Sequence, residues 1–146
     1  MYKRQSEADH RAAWTVLEDA FLEWSDRDRT TFETFAAHTL RRPGFQPWQL
    51  RLLVDHDGEP VGACFATLDS GTAWVDRIAV RRDRRGGGLA RALLADAFSL
   101  ARQHGARTLK LGTDSRTGAL GLYLRVGMEV GSTWVNRATR TGEVRA

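Results

Sequence analysis

Between Ser6 and Trp24 the apolar residues Ala13, Leu17, Ala20, Phe21 and Trp24 recur at the spacing of one helical face, which predicts an amphipathic helix. The polar run Ser25-Asp26-Arg27-Asp28-Arg29 interrupts it. Phe32, Phe35, Ala36, Thr39 and Leu40 resume the helical spacing, and Pro43 and Gly44 in RPGFQP end it. From Trp48 the period shortens. WQLRLLVD and PVGACFATL predict two strands joined across His56-Asp57-Gly58-Glu59, where Asp-Gly is a hairpin signal. Ser70-Gly71 turns the chain into a third strand, TAWVDRIAV, so the three form an antiparallel meander.

The helical period returns at about Leu89, with Leu89, Leu93, Ala97, Leu100 and Ala101 on the inward face. His104-Gly105 supplies a basic last turn and a stop. TLKLGTD predicts a strand, TGALGLYLRVG a short helix ending at Gly127, and MEVGSTWVNRAT a closing strand. The order is helix, helix, three strands, helix, strand, helix, strand. That is an α/β chain with a mixed sheet, and it contains no repeat.

A length of 146 residues suits one domain, expected over 1–146, and 42% hydrophobic with 27% charged residues is an ordinary globular balance. One cysteine, Cys64, rules out an internal disulfide framework, and His10, His38, His56 and His104 have no metal-ligand spacing. No metal is expected. The opening MYKRQSEAD has no apolar signal region and no window reaches the length of a membrane span, so a cytoplasmic protein with no membrane partner is expected. The net charge of +4 and a pI near 10.0 fit an anionic partner. Arg77, Arg81, Arg82, Arg84, Arg85 and Arg91 concentrate that charge around Gly86, Gly87 and Gly88.

Three glycines in a row are costly to order unless bare backbone is needed. Just before a helix they let a phosphate approach unpaired N–H groups at the positive end of the helix dipole. A P-loop would require Gly-Lys-Ser or Gly-Lys-Thr, which the chain lacks. A dinucleotide-binding turn would require glycine where Arg91 stands, and a parallel βαβ unit where the meander lies.

RGGGLA, Arg85 to Ala90, resembles the pyrophosphate loop of the GNAT superfamily of N-acetyltransferases, and the flanking RIAV and RALL fit it. TGALGLYLRVGM, Thr117 to Met128, is similar to that family's second motif, a short helix with a tyrosine followed by Gly-Met. The resemblance covers nearly the whole chain. It implies a largely antiparallel sheet with a splayed central strand pair, flanking helices, and acetyl-CoA as cosubstrate. Within the family, RPGF, TGALGLY and VGM are most similar to the acetyltransferase halves of actinobacterial tandem proteins, of which mycothiol synthase is one. Only Met1 to Gln5 are available for the family's usual first strand; either that strand is very short or the chain is one half of a longer protein.

The resemblance also assigns roles. Arg85, Gly86, Gly87, Gly88, Leu89, Ala90 and Arg91 would hold the pyrophosphate, and the backbone of Ile78, Ala79 and Val80 would pair with the pantetheine arm as an added strand does. The Ile78 N–H would face the thioester oxygen. Tyr123 stands where the family places its general acid, since a phenol of pKa about 10 stays protonated beside a thiol of about 8.5. Asp76 is the candidate base, on a strand face shared by period two with Trp74, Ile78 and Val80, and Asp114 or a water is its rival. The family often carries asparagine where Arg116 stands; Ser115 beside it would supply the lost hydrogen bond. Trp48, Trp74 and Cys64 are expected in the core or the pocket wall.

The implied function is transfer of an acetyl group from acetyl-CoA to a primary amine of a small molecule or peptide, by a monomer or homodimer. The alternative is a non-catalytic acyl-CoA-binding half of a tandem protein. A nucleic-acid partner is not expected, because the arginines are not interleaved with an aromatic platform.

Overall fold

The computed structural model describes residues 5–112, 120–125 and 127–131. Asp114, Ser115, Arg116 and the predicted last strand from Ser132 onwards lie outside the described residues, as do the first residues of the predicted short helix; residues 128–131, expected to open that strand, are not in a strand.

Helix α1, Glu7–Leu22, starts at a capping box in which Ser6 and Asp9 exchange backbone and side-chain hydrogen bonds. Helix α2, Phe32–His38, is capped by Thr31. Pro47–Gln49 forms a single 3₁₀ turn, so strand β1 runs Leu50–Val54 and starts two residues later than the pattern suggests. Strands β2, Pro60–Asp69, and β3, Thr72–Val80, follow as the expected antiparallel meander. A 3₁₀ turn at Arg82–Arg84 leads to α3, Leu89–Gln103. The chain then returns as β4, Thr108–Leu111, parallel to β3, and α4 spans Leu120–Arg125. The described sheet has the order β1-β2-β3-β4.

Side chains alternate across this sheet to make two apolar layers. On one face Ala13, Val16 and Leu17 of α1 and Phe32, Phe35 and Ala36 of α2 pack on Leu50, Leu52, Ala63, Phe65 and Ala79. On the other, Leu93, Leu94 and Ala97 of α3, with Tyr123 of α4, pack on Leu53, Cys64, Val75 and Val80. Leu94 is buried in α3, whereas Leu89 and Leu100 are only half-buried. The α1 face is rotated from the expected one. Glu18 is fully buried beside Leu17, while Phe21 and Trp24 are exposed and Trp24 lies beyond the helix.

The bulge in β3 is the feature that matters most for function. Phe65 pairs with Arg77 but Ala66 pairs with Val75, so Asp76 is an extra residue on β3. Period two therefore fails across it. Val75, Ile78 and Val80 belong to the α3 layer, Ala79 to the α1 layer, and Asp76 and Arg77 both line a cavity against α2. The expected common face for residues 74, 76, 78 and 80 is thus corrected: Asp76 is separated by the bulge from Ile78 and Val80.

Candidate active site

The β3–β4 pairing runs from Thr72–Thr108 to Val75–Leu111, and among the described residues it ends there, one residue before the bulge. Among the described residues, β3 beyond that point pairs only with β2. Arg81 N–H donates to the Val61 carbonyl at 2.8 Å. The alternation of an antiparallel ladder then turns the N–H and C=O of Ile78 and Val80 away from β2, towards the side on which the described part of β4 lies. The sequence-predicted backbone positions therefore lie on a strand edge capable of pairing with an extended ligand.

That edge runs directly into the glycine loop. Gly86 has φ +86° and Gly88, the N-cap of α3, has φ +80° and ψ 8°. These left-handed conformations penalise any residue with a Cβ, which explains two of the three glycines. Crowding does not: a Cβ added at Gly86 or Gly88 would meet nothing within 4 Å. No side chain caps the first turn of α3, whose N–H groups belong to Leu89, Ala90 and Arg91.

The arginines around the loop divide into two sets. Arg77 pairs with Glu18, Arg81 with Asp83, Arg84 with Asp55 at 2.5 Å, and Arg85 with Glu23 at 2.9 Å. Arg85 also donates through Nε to the Val80 carbonyl at 3.0 Å, which ties the loop to the end of β3. Arg82 and Arg91 are exposed and have no carboxylate partner among the described residues. A cleft of about 420 Å³ lies between α1 and this loop, walled by Ala20, Glu23, Val80, Arg82 and Arg85.

On the other side of the bulge a cavity of about 180 Å³ is lined by Thr30, Phe35, His38, Arg42, Asp76 and Arg77, among others. Burial holds the Asp76 carboxyl above its ordinary range, although Arg42, Arg77 and a hydrogen bond from Thr67 act to lower it. Arg42 Nη1 is 3.7 Å from Asp76 Oδ2. Tyr123 is buried on the opposite face of the sheet, and burial, with a smaller influence of Cys64, pushes its phenol above 10.0. The two candidate acid–base groups thus flank β3 from opposite sides, close to where its pairing with β4 stops.

Cys64 is buried and its thiol is pushed up to about 12 by that burial, so it is a packing residue. Trp48 stacks on His104 with ring centroids 4.6 Å apart. Trp74 is not in the core; it is 43% exposed with the Lys110 ammonium 5.5 Å from its ring. Among the described residues there is no group of His, Cys, Asp and Glu that could hold a metal, and no helix is long and apolar enough to cross a membrane. The pattern missed Arg42, Thr67 and Glu18. Glu18 left one trace, a carboxylate beside Leu17 on the flank of the apolar stripe.

The meander, the parallel return through α3 and the glycine-initiated helix together make the GNAT fold. A model of the Acetyltransferase (GNAT) family matches residues 10–128, and the chain belongs to that family. A Bacillus subtilis (strain 168) protein, provisionally named a ribosomal protein bS18-alanine N-acetyltransferase, is 32% identical over 98 residues, 66% of this chain and 65% of that one. A solved GCN5-related N-acetyltransferase from Sphaerobacter thermophilus is 33% identical with a TM-score of 0.72, covering 88% of this chain. This chain spans only 41% of that protein's length. The aminoglycoside N-acetyltransferase AAC(6')-Iy, solved with CoA, shares the fold at a TM-score of 0.69 and 14% identity, covering 96% of this chain and 94% of that one.

Proposed function

We propose that the chain is one GNAT domain that moves an acetyl group from acetyl-CoA to a primary amine by direct attack. One observation carries the reading. Among the described residues the bulge at Asp76 directly follows the last β3–β4 pair, and the strand beyond it leads into the glycine-started helix. A pantetheine arm pairs there with Ile78, Ala79 and Val80. The pyrophosphate sits on the first N–H groups of α3, with Arg85, Gly86, Gly87, Gly88, Leu89, Ala90 and Arg91 around it and Arg82 and Arg91 adding charge. CoA in the AAC(6')-Iy structure supports this ligand class.

The residues then divide the chemistry across the sheet. Asp76, with its raised basicity, takes the proton that the amine must lose, directly or through water; Asp114 is the rival. The Ile78 N–H donates to the carbonyl oxygen as negative charge develops on it. Tyr123, on the α3 side, holds a proton for the sulfur as the carbon–sulfur bond breaks. Ser115, beside Arg116, supplies the cofactor hydrogen bond that asparagine often makes in this family.

The acceptor is a small amine or a peptide amine; the cavity of about 180 Å³ fits either a small ligand or one chain terminus. The name of the Bacillus subtilis relative favours testing a peptide with N-terminal alanine. We place the enzyme in the cytoplasm as a monomer or homodimer. Neutralisation of Arg77, Arg81, Arg84 and Arg85 by carboxylates argues against a nucleic-acid face.

A second reading is a half of a longer tandem protein that binds acyl-CoA without chemistry, favoured by the greater length of the Sphaerobacter thermophilus relative. CoA thiol release across a panel of small amines and peptide N-termini separates the two. Turnover with one acceptor class supports the enzyme. Tight acetyl-CoA binding with no release from any acceptor supports the silent half.

A further inference from the structure

Glu18 is a charged side chain with no exposed surface, next to Ala13, Val16 and Leu17 on the buried side of α1. Such a group is tolerable only when its oxygens are fully engaged. Here they are. Arg27 donates to both, at 3.1 and 3.2 Å, Arg77 donates at 3.2 Å, and the Thr30 N–H donates at 2.9 Å. Burial alone would raise this carboxyl, yet the hydrogen bonds from Arg27, Thr30 and Arg77 leave it below its ordinary value, so it is an anion.

The partners come from separate walls of the acceptor cavity. Thr30 belongs to the linker between α1 and α2, which Arg27 folds back by donating to the Asp28 carbonyl and the Thr30 hydroxyl, both at 3.0 Å. Arg77 is the residue directly after the bulge, and Thr30, Asp76 and Arg77 line the same cavity. Arg77 already acts on Asp76 to lower its carboxyl, and its ion pair with Glu18 offsets part of that charge. The other groups facing Asp76 are Arg42 and His38 from the α2 side, with Cys64 on β2 exerting a weak influence through the sheet. Only Arg77 among them is bound to a buried anion.

We infer that Glu18 is a positioning residue for the acetyl transfer proposed above: its carboxylate offsets the charge of Arg77 beside Asp76 and fastens the α1–α2 linker to the bulge. The inference rests on that reading, because Asp76 must act as the base for its protection to matter. A cation released beside Asp76 favours the carboxylate form and makes it a weaker base, so the acid limb of the pH–rate profile moves to lower pH as the plateau falls.

The experiment follows the Asp76 carboxyl by ¹³C NMR titration, alongside pH–rate profiles, in wild type, Glu18→Gln and the double variant Glu18→Gln/Arg77→Met. In Glu18→Gln the Asp76 titration should fall by about one pH unit, with kcat reduced roughly 10-fold and the KM for acetyl-CoA held within about 2-fold. Removing the freed cation in the double variant should return the titration towards wild type, which a purely structural role would not do. Unchanged Asp76 titration in folded Glu18→Gln overturns the inference. Should Glu18→Gln fail to fold, Arg77→Met alone decides. With Glu18 in place it should raise the Asp76 titration by less than about half a pH unit, and a rise of a full unit means that Glu18 does not offset the charge of Arg77. The titration needs no turnover. Wild type that transfers nothing while Asp76 shifts as expected therefore sinks the transferase reading, separately from the electrostatic one.

Discussion

Asp76 and Tyr123 stand on opposite faces of β3, and their environments raise both pKa values for the same reason, burial of the charged form. The consequences for rate have opposite signs. Protonated Asp76 cannot accept a proton, so kcat/KM should fall as pH drops through a value above 3.8, the ordinary position of the group. Asp76→Asn should cost roughly 10²- to 10⁴-fold in kcat and abolish that acid limb. A limb that persists in the variant assigns the base to Asp114 or water. Ionised Tyr123 cannot donate, so its limb lies on the alkaline side, above 10.0. Tyr123→Phe should lower kcat roughly 10- to 1,000-fold, towards the low end because thiolate is a fair leaving group, with little change in acetyl-CoA affinity. Full activity would leave Tyr123 as a packing residue, and a loss confined to acetyl-CoA affinity would make it a cofactor contact.

Among the elements, the loop before α3 separates backbone need from side-chain contact. Gly88→Val forces a β-branched residue into φ +80°, at a cost of about 1–3 kcal/mol, and places a side chain where the pyrophosphate is expected. Acetyl-CoA affinity should drop at least about tenfold, more than 1.4 kcal/mol, while circular dichroism reports a folded protein. Gly87 does not have a positive φ, and a Cβ there would lie 3.9 Å from the Arg84 carbonyl, so Gly87→Ala should cost less stability. Equal melting temperatures for the two variants would remove the conformational argument. This loop was legible in the sequence because local chemistry favours glycine at the positive φ of Gly86 and Gly88. The bulge was not. AWVDRIAV reads as one continuous strand, and the phase breaks where Arg77, with its guanidinium on the fully buried Glu18, lines the cavity beside Asp76. The same contact hid the true face of α1, where an apolar count favoured Phe21 and Trp24. The Arg77 guanidinium lies 5.4 Å from the Phe21 ring, so that aromatic serves a cation at the surface.

At the scale of the whole molecule, an apolar layer packs on either side of the sheet, and the end of β3 is held by its β2 partner and by the Arg85 side chain. A ligand that pairs with that edge and also caps α3 would tie β3, the loop and α3 together. It binds only the folded chain, so it must raise stability by mass action, by about 2.7 kcal/mol at one hundred times its dissociation constant. For a chain of 146 residues that corresponds to a rise of roughly 5–10 °C in melting temperature. CoA should give most of this rise, since pyrophosphate and pantetheine contribute contacts that the acetyl group does not. Pantetheine alone would test the strand edge, and a nucleotide diphosphate alone the helix start. Each should give a smaller shift than CoA, because neither spans both elements. NAD carries a pyrophosphate but lacks the pantetheine arm, so it should stabilise less than acetyl-CoA in a thermal-shift titration. If NAD proved the stronger, the edge of Ile78 and Val80 would not be a pantetheine site, and the place assigned to the thioester beside Asp76 would fall with it.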